Sequence, residues 1–202
     1  GIGASALLHL HNQPFTNEQI GGLQLSAVPK FERFVTRQYS LRANKASDIL
    51  LYAAAVSPAL LLLDKDIRQD APTAVLLVSE SMLLDLALTS LFKEIVRRPR
   101  PYCYNPDAPL SEKLKRDARQ SFFSGHTSFS AAATFSAARI WSDYHSDSGW
   151  KPVVWATAAV IPATVGFLRV KAGKHYLTDV LTGFVVGGAC GLLVPHFHRQ
   201  NR

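Results

Sequence analysis

Residues 168–194 read LRVKAGKHYLTDVLTGFVVGGACGLLV, and Pro195 closes the run. The first part is polar and basic. From Leu177 onward it is apolar and rich in Gly, Ala and Leu. No alternation of apolar and polar residues competes with a helical reading, and the run is too long for an ordinary strand. The stretch is a polar turn feeding an apolar helix, with Arg169, His175 and Asp179 gathered at its mouth.

Upstream lie four further apolar segments of the same character: Ile49–Leu63, which Asp48 can cap; about Thr73–Lys93, carrying Glu80 and Asp85; His126–Trp141; and Val153–Leu168, interrupted by Pro162. Residues 1–47 are polar and mixed, with Pro14 and Pro29 as breakers and short helices expected at about 17–27 and 29–39. The fold class is therefore all-α, an antiparallel helical bundle. A single domain over 1–202 is expected, with 1–47 as an N-terminal helical extension and 48–195 as the catalytic helical core. The connection from Arg97 to Ser121 is long for such a bundle, and long connections between packed helices are often functional.

The 202 residues carry 22 Lys and Arg against 15 Asp and Glu, a formal charge of +7. A basic balance suits an anionic partner. The charge is clustered, with Lys93, Arg97, Arg98, Arg100, Lys113, Lys115, Arg116 and Arg119 in one stretch. Cys103 and Cys190 are too few for a disulfide framework, and no zinc spacing occurs. Ile2–Leu10 is too short and lacks the basic flank of a signal peptide.

Three polar clusters fall at helix edges: Lys93 to Pro101, Ser121 to Thr127, and Arg169 to Asp179. Each has an ordinary structural reading on its own: a capped helix end, an N-cap, an i,i+4 surface pair. In a bundle of alternating helices, however, all three meet at one end. There they supply what phosphoryl transfer requires, namely cations for the equatorial oxygens, an in-line nucleophile and a proton donor. Lys93, Arg100 and Arg169 supply the cations. Ser124 and Gly125 sit where a helix N-terminus offers unpaired N–H groups. His175 can attack phosphorus if an acceptor holds one ring nitrogen, and Asp179, one turn on, is expected to be that acceptor. His126 remains to protonate the leaving oxygen and then to activate water.

These residues resemble the type-2 phosphatidic acid phosphatase superfamily. Its marks are Lys, six residues, Arg-Pro; Pro-Ser-Gly-His; and Ser-Arg, five residues, His, three residues, Asp. Nine identities match in order: Lys93, Arg100, Pro101, Ser124, Gly125, His126, Arg169, His175 and Asp179. Phe123 stands for the Pro and Leu168 for the Ser. The resemblance implies Lys93, Arg100, Ser124, Gly125 and Arg169 as phosphate binders, His126 as acid/base, His175 as nucleophile and Asp179 as its partner. It implies no metal and no cofactor.

Arg97, Arg98, Lys171 and Lys174 read as solvated charges. Tyr102, Phe122, Phe123 and Tyr176 either line a leaving-group pocket or simply pack. His9, His11, His196 and His198 look incidental, the last two on an exposed tail. The expected substrate is a phosphorylated small molecule or a lipid phosphate. Nucleic acid is not expected, because a basic binding module leaves the histidine pattern to coincidence. A vanadium haloperoxidase, which shares the motifs, is disfavoured by the short chain.

The expected setting is soluble and exported, acting on phosphomonoesters; the alternative is an integral membrane phosphatase of lipid phosphates or polyprenyl diphosphates. Five features favour solubility. The chain offers five apolar segments, where the resemblance implies six spanning helices for membrane members, and the third carries Ser128, Ser130, Thr134 and Ser136. Ile49–Leu63 is shorter than the ~20 residues of a span. Glu80 and Asp85 interrupt the next segment, and mean hydropathy is only +0.06.

Overall fold

The computed structural model describes residues 13–200; His9, His11 and the Ile2–Leu10 stretch lie outside them. Five long helices carry the fold: α1 (Leu41–Val56), α2 (Ala71–Val96), α3 (Gly125–Tyr144), α4 (Lys151–Lys171) and α5 (Leu177–Gln200). No strand occurs among the described residues.

Helix α1 starts well before Ile49. Ser40 is its N-cap, accepting the Ala43 N–H at 3.2 Å, and Asp48 lies inside the helix. Its opening turns carry Arg42, Asn44, Lys45 and Asp48, so the apolar pattern becomes visible only after the helix is under way. The boundary expected at residue 47 therefore falls within α1. The chain then continues into a 3₁₀ stretch, Ser57–Leu63, so the apolar element spans 23 residues. Pro162 lies inside a continuous α4, and α5 runs through Pro195 to Gln200. His198 is thus on a helix and meets Glu80 at 3.4 Å. The N-terminal segment is less helical than expected. Thr16 and Gln19 close a capping box on the short helix Asn17–Gly21, and 3₁₀ stretches Leu25–Ala27 and Lys30–Arg37 follow.

Helix α3 is the hub, packed against α1, α2, α4 and α5. Its small side chains explain the position: Ser128, Ala131, Ala132, Ala133 and Ser136 are fully buried. Their hydroxyls are satisfied locally or across helices, as when Thr134 Oγ1 donates to the Ala158 carbonyl at 2.8 Å. The facing side of α5 carries Gly183, Gly187 and Gly191 at four-residue intervals. A β-carbon at Gly187 would overlap the Ser128 carbonyl, and one at Gly191 would sit 2.7 Å from the Ala132 carbonyl. Backbones this close require glycine.

The outer surface corrects the expectation of a soluble exported domain. Four helical segments are long and apolar enough to cross a membrane: Leu41–Leu63, Ala71–Tyr104, Lys151–Lys171 and Leu177–His198. They turn large apolar side chains outward, with Ile49 69%, Leu83 64%, Leu181 65% and Val185 67% exposed. Such a belt belongs in lipid rather than in water. The features that favoured solubility have structural answers. Asp85 faces α3, is 1% exposed and accepts the Ser128 hydroxyl at 3.1 Å. Glu80 pairs with His198. Helix α3, rich in Ser and Thr, is enclosed by the other four. The low mean hydropathy averages these helices with the polar N-terminal segment and the 97–124 connection. The four apolar helices and their exposed belt point to an integral membrane protein.

Candidate active site

The alternating helices bring the end of α2, the start of α3, the end of α4 and the start of α5 to one end of the bundle. All eight residues expected to carry chemistry lie there. Ser124, at the N-cap of α3, donates its N–H to the Asp179 carbonyl at 2.9 Å, which ties the second cluster to the third. Its hydroxyl pairs with the Thr127 hydroxyl at 2.9 Å and makes no cap to the backbone. The first N–H groups of α3 therefore remain available to an anion. Lys93 reaches across the same point: a β-carbon on Gly125 would stand 3.0 Å from its Nζ. Glycine here lets the ammonium lie against the helix start.

Arg100 is held by two backbone carbonyls, Nε to Asp117 at 2.8 Å and Nη1 to Lys174 at 3.2 Å. Its Nη1 also lies 3.3 Å from His175 Nε2. Arg169 receives its support from α1, with Nη1 donating to Asn44 Oδ1 at 2.8 Å and Ser47 Oγ at 3.2 Å, and standing 3.5 Å from Asp48 Oδ1. Its Nε is buried and has no hydrogen-bond partner among the described residues. A buried guanidinium donor left unpaired is costly unless a ligand completes it.

His175 is 1% exposed. Its Nδ1 donates to the Ser121 carbonyl at 2.7 Å, not to Asp179, whose Oδ2 is 3.8 Å away. A carbonyl only accepts, so Nδ1 carries the proton and Nε2 keeps its lone pair. Burial first, then the positive charge of Arg100, Arg169 and Lys93 and the neighbouring His126, hold the imidazole well below its usual 6.5. Both effects favour the neutral ring, the form a nucleophile requires. Asp179 acts one step back: its Oδ2 accepts the Ser121 hydroxyl at 2.6 Å and the Tyr176 N–H at 2.9 Å. The i,i+4 spacing places the carboxylate correctly but cannot reveal that a loop carbonyl stands between it and the ring.

His126 is more open, with its side chain 26% exposed. Its Nε2 meets Asp48 Oδ1 at 2.8 Å. The polar side chains that delay the apolar pattern of α1 thus serve the site: Asn44 and Ser47 seat Arg169, and Asp48 seats His126. Their signal in the sequence is an Asn and an Asp four apart on one helical face.

Arg98 is not a solvated charge. It bridges Glu32 at 2.7 Å and Asp179 at 2.6 Å and stacks over the Tyr176 ring at 3.9 Å. Lys174 is also engaged, 3.6 Å from Glu112 and over the Tyr102 ring. Arg97 caps α2 in the left-handed region, and Lys171 is exposed. Tyr102, Phe123 and Tyr176 are buried packing residues, and Phe123, in place of the motif proline, packs against Phe92 and Phe122. Cys103 and Cys190 are both buried free thiols. Among the described residues no group of three His, Cys, Asp or Glu side chains could hold a metal ion.

The PAP2 superfamily pattern matches residues 74–202, which contain all three clusters. The chain belongs to the PAP2 superfamily. Similar proteins include phosphatidylglycerophosphatase B of Bacillus subtilis, 36% identical over 57% of this chain and 54% of that protein. The probable diacylglycerol pyrophosphate phosphatase 1 of Schizosaccharomyces pombe is 31% identical over 52% of this chain and 46% of its own length. Phospholipid phosphatase 1 of Rattus norvegicus is 33% identical over 42% of this chain and 31% of its own. The chain spans about half the length of the first two relatives, and less of the third. The fold is shared with a transmembrane PAP2-type phosphatidylglycerolphosphate phosphatase from Bacillus subtilis, at a TM-score of 0.65 and 22% identity over 98% of this chain and 97% of that one. It is shared also with Aquifex aeolicus LpxE, at 0.53 and 23% over 81% and 92%. Helix α1 and the N-terminal segment, which hold Glu32, Asn44 and Asp48, lie outside residues 74–202 of the family match.

Proposed function

We propose that this chain is an integral membrane phosphatase of lipid phosphates, working through a phosphohistidine on His175 without a metal. The observation that carries the reading is the meeting of His175 Nε2, which keeps its lone pair, with Arg100, while the buried Arg169 Nε lacks a partner, all at one end of an apolar bundle. Lipid phosphates replace the soluble phosphomonoesters expected from the sequence, and two supports point the same way. The bundle carries an apolar belt, and the similar proteins are named for phospholipid, phosphatidylglycerophosphate and diacylglycerol pyrophosphate substrates.

In the first step, His175 Nε2 forms a bond to phosphorus in line with the ester oxygen. The P–O bond breaks, and the electron pair leaves on the lipid oxygen, which takes a proton from His126. Lys93, Arg100, Arg169 and the α3 N-terminus neutralise the equatorial oxygens. In the second step, water gives a proton to His126 and attacks phosphorus. The N–P bond then breaks, returning its pair to Nε2 and releasing inorganic phosphate. Three cations take the charge-neutralising part that a metal plays elsewhere.

The test is turnover in detergent micelles of a phosphatidate, a polyprenyl diphosphate and an aryl phosphate, with and without EDTA. Phosphate release from lipid, unchanged by EDTA, together with an acid-labile phosphoenzyme, is the expected result. Activity lost in EDTA and restored by a divalent ion, or turnover of the aryl phosphate alone, would overturn it.

A further inference from the structure

Glu32 comes from the 3₁₀ stretch Lys30–Arg37, far from every motif, yet its side chain is fully buried. Oε1 accepts both the N–H of Thr178, at 2.8 Å, and its hydroxyl, at 2.9 Å. It thereby satisfies a donor in the opening turn of α5 from a distant segment. Oε2 receives Arg98 Nη2 at 2.7 Å. The other arm of that guanidinium, Nη1, donates to Asp179 Oδ1 at 2.6 Å and to the Thr178 hydroxyl at 2.8 Å. From Asp179 the chain continues to the Ser121 hydroxyl, and the Ser121 carbonyl receives His175 Nδ1–H.

The segment that brings Glu32 is seated firmly. Val28 and Val35 pack with Val170 and Tyr176 in one buried cluster. The Gln38 carbonyl lies so close to Gly173, at φ +70°, that a β-carbon there would overlap it. Gly173 is two residues from the nucleophile, so this segment bears directly on the loop that presents His175.

We propose that Glu32 and Arg98 are positioning residues for His175, making residues 28–38 part of the catalytic apparatus; this rests on the phosphatase reading above. Two buried carboxylates face one guanidinium whose planar fork fixes both at once. Removing one partner leaves the others uncompensated in a dry site. Asp179 then loses its fixed position, Ser121 loses its anchor, and the carbonyl that selects the Nδ1–H tautomer moves. Neither Glu32 nor Arg98 touches substrate. They determine which ring nitrogen points at phosphorus.

The experiment compares the unaltered protein with Glu32→Gln and Arg98→Lys, each purified in detergent and monodisperse. One readout is phosphatidate turnover. The other is ring-¹⁵N NMR of selectively labelled histidine, with His175 assigned by its loss in His175→Gln. An interaction felt in the transition state lowers kcat, so kcat should fall at least about tenfold with KM held within roughly twofold. The unaltered His175 should show a single Nδ1–H tautomer, and the variants a mixture. A merely structural role would lower the yield of folded protein and leave both the tautomer and the kcat of the folded fraction alone; that result would overturn the proposal. If neither of these variants folds, Thr178→Val decides by the same two readouts, since it removes one hydroxyl from the chain and little volume. Failure of the phosphatase reading itself looks different: the unaltered protein would release no phosphate from any lipid, while the tautomer comparison would still report on positioning.

Discussion

The two histidines of the candidate site occupy opposite kinds of surroundings. His175 is sealed, with its proton assigned by a backbone carbonyl and its support drawn from fully buried groups. His126 sits at the start of α3 with a quarter of its side chain exposed, and its partner Asp48 is itself 39% exposed. The difference suits the tasks proposed for them. A nucleophile must present the same lone pair each cycle, so it benefits from rigidity and from exclusion of water. An acid that must later activate water needs access to water and to exchangeable protons.

The contrast can be broken in three places, in decreasing order of effect. His175→Ala removes the atom that bonds to phosphorus. Turnover and the acid-labile phosphoenzyme should both disappear, as read by ³²P retention after a denaturing quench; normal turnover in this variant would end the account. His126→Ala should slow phosphate release by ~10²–10⁴, the usual scale of acid–base catalysis. The loss should shrink for phosphoenzyme formation from a highly acidic leaving group, which needs no proton, as measured by a rapid-quench burst. An equal loss for good and poor leaving groups would remove His126 from the acid role. Asp48→Asn keeps the side-chain shape but removes the charge beside His126 (2.8 Å) and, more distantly, beside Arg169 (3.5 Å), and should cost about tenfold in kcat, the equivalent of one charged hydrogen bond of roughly 1.4 kcal/mol. It should leave burst formation from the acidic leaving group intact, and a comparable loss there would place Asp48 with the nucleophile instead.

Legibility in the sequence divides along the same line. The apolar runs reveal four of the five helices nearly in full, because lipid-facing and core-facing residues are both apolar and leave long unbroken stretches. Spacing reveals the nine motif residues, because three clusters at helix ends converge in any antiparallel bundle. What stays hidden is support drawn from distant segments. Glu32 is a single carboxylate in a polar stretch, and nothing local distinguishes it from solvated charge; Asp48 shows only through its spacing of four from Asn44. Arg98 is masked by basic neighbours of which only some are buried. The membrane setting is hidden for a related reason. Asp85 and the α3 hydroxyls count as polar in any tally along the chain, but they face one another inside the bundle and expose nothing to lipid. The late apolar onset of α1 comes from the same cause, since Asn44, Ser47 and Asp48 turn toward the site.

The glycine row on α5 has a consequence beyond packing. Helix α3 begins one residue before His126, and α5 begins two residues after His175, so the separation of these two helices sets the separation of the two imidazoles. Gly183 meets the Ser124 carbonyl at the level of the site, with Gly187 and Gly191 repeating the fit deeper in the bundle. The row works as a gauge block: close backbone contacts, most of them remote from the candidate site, hold the width of the gap between the two imidazoles.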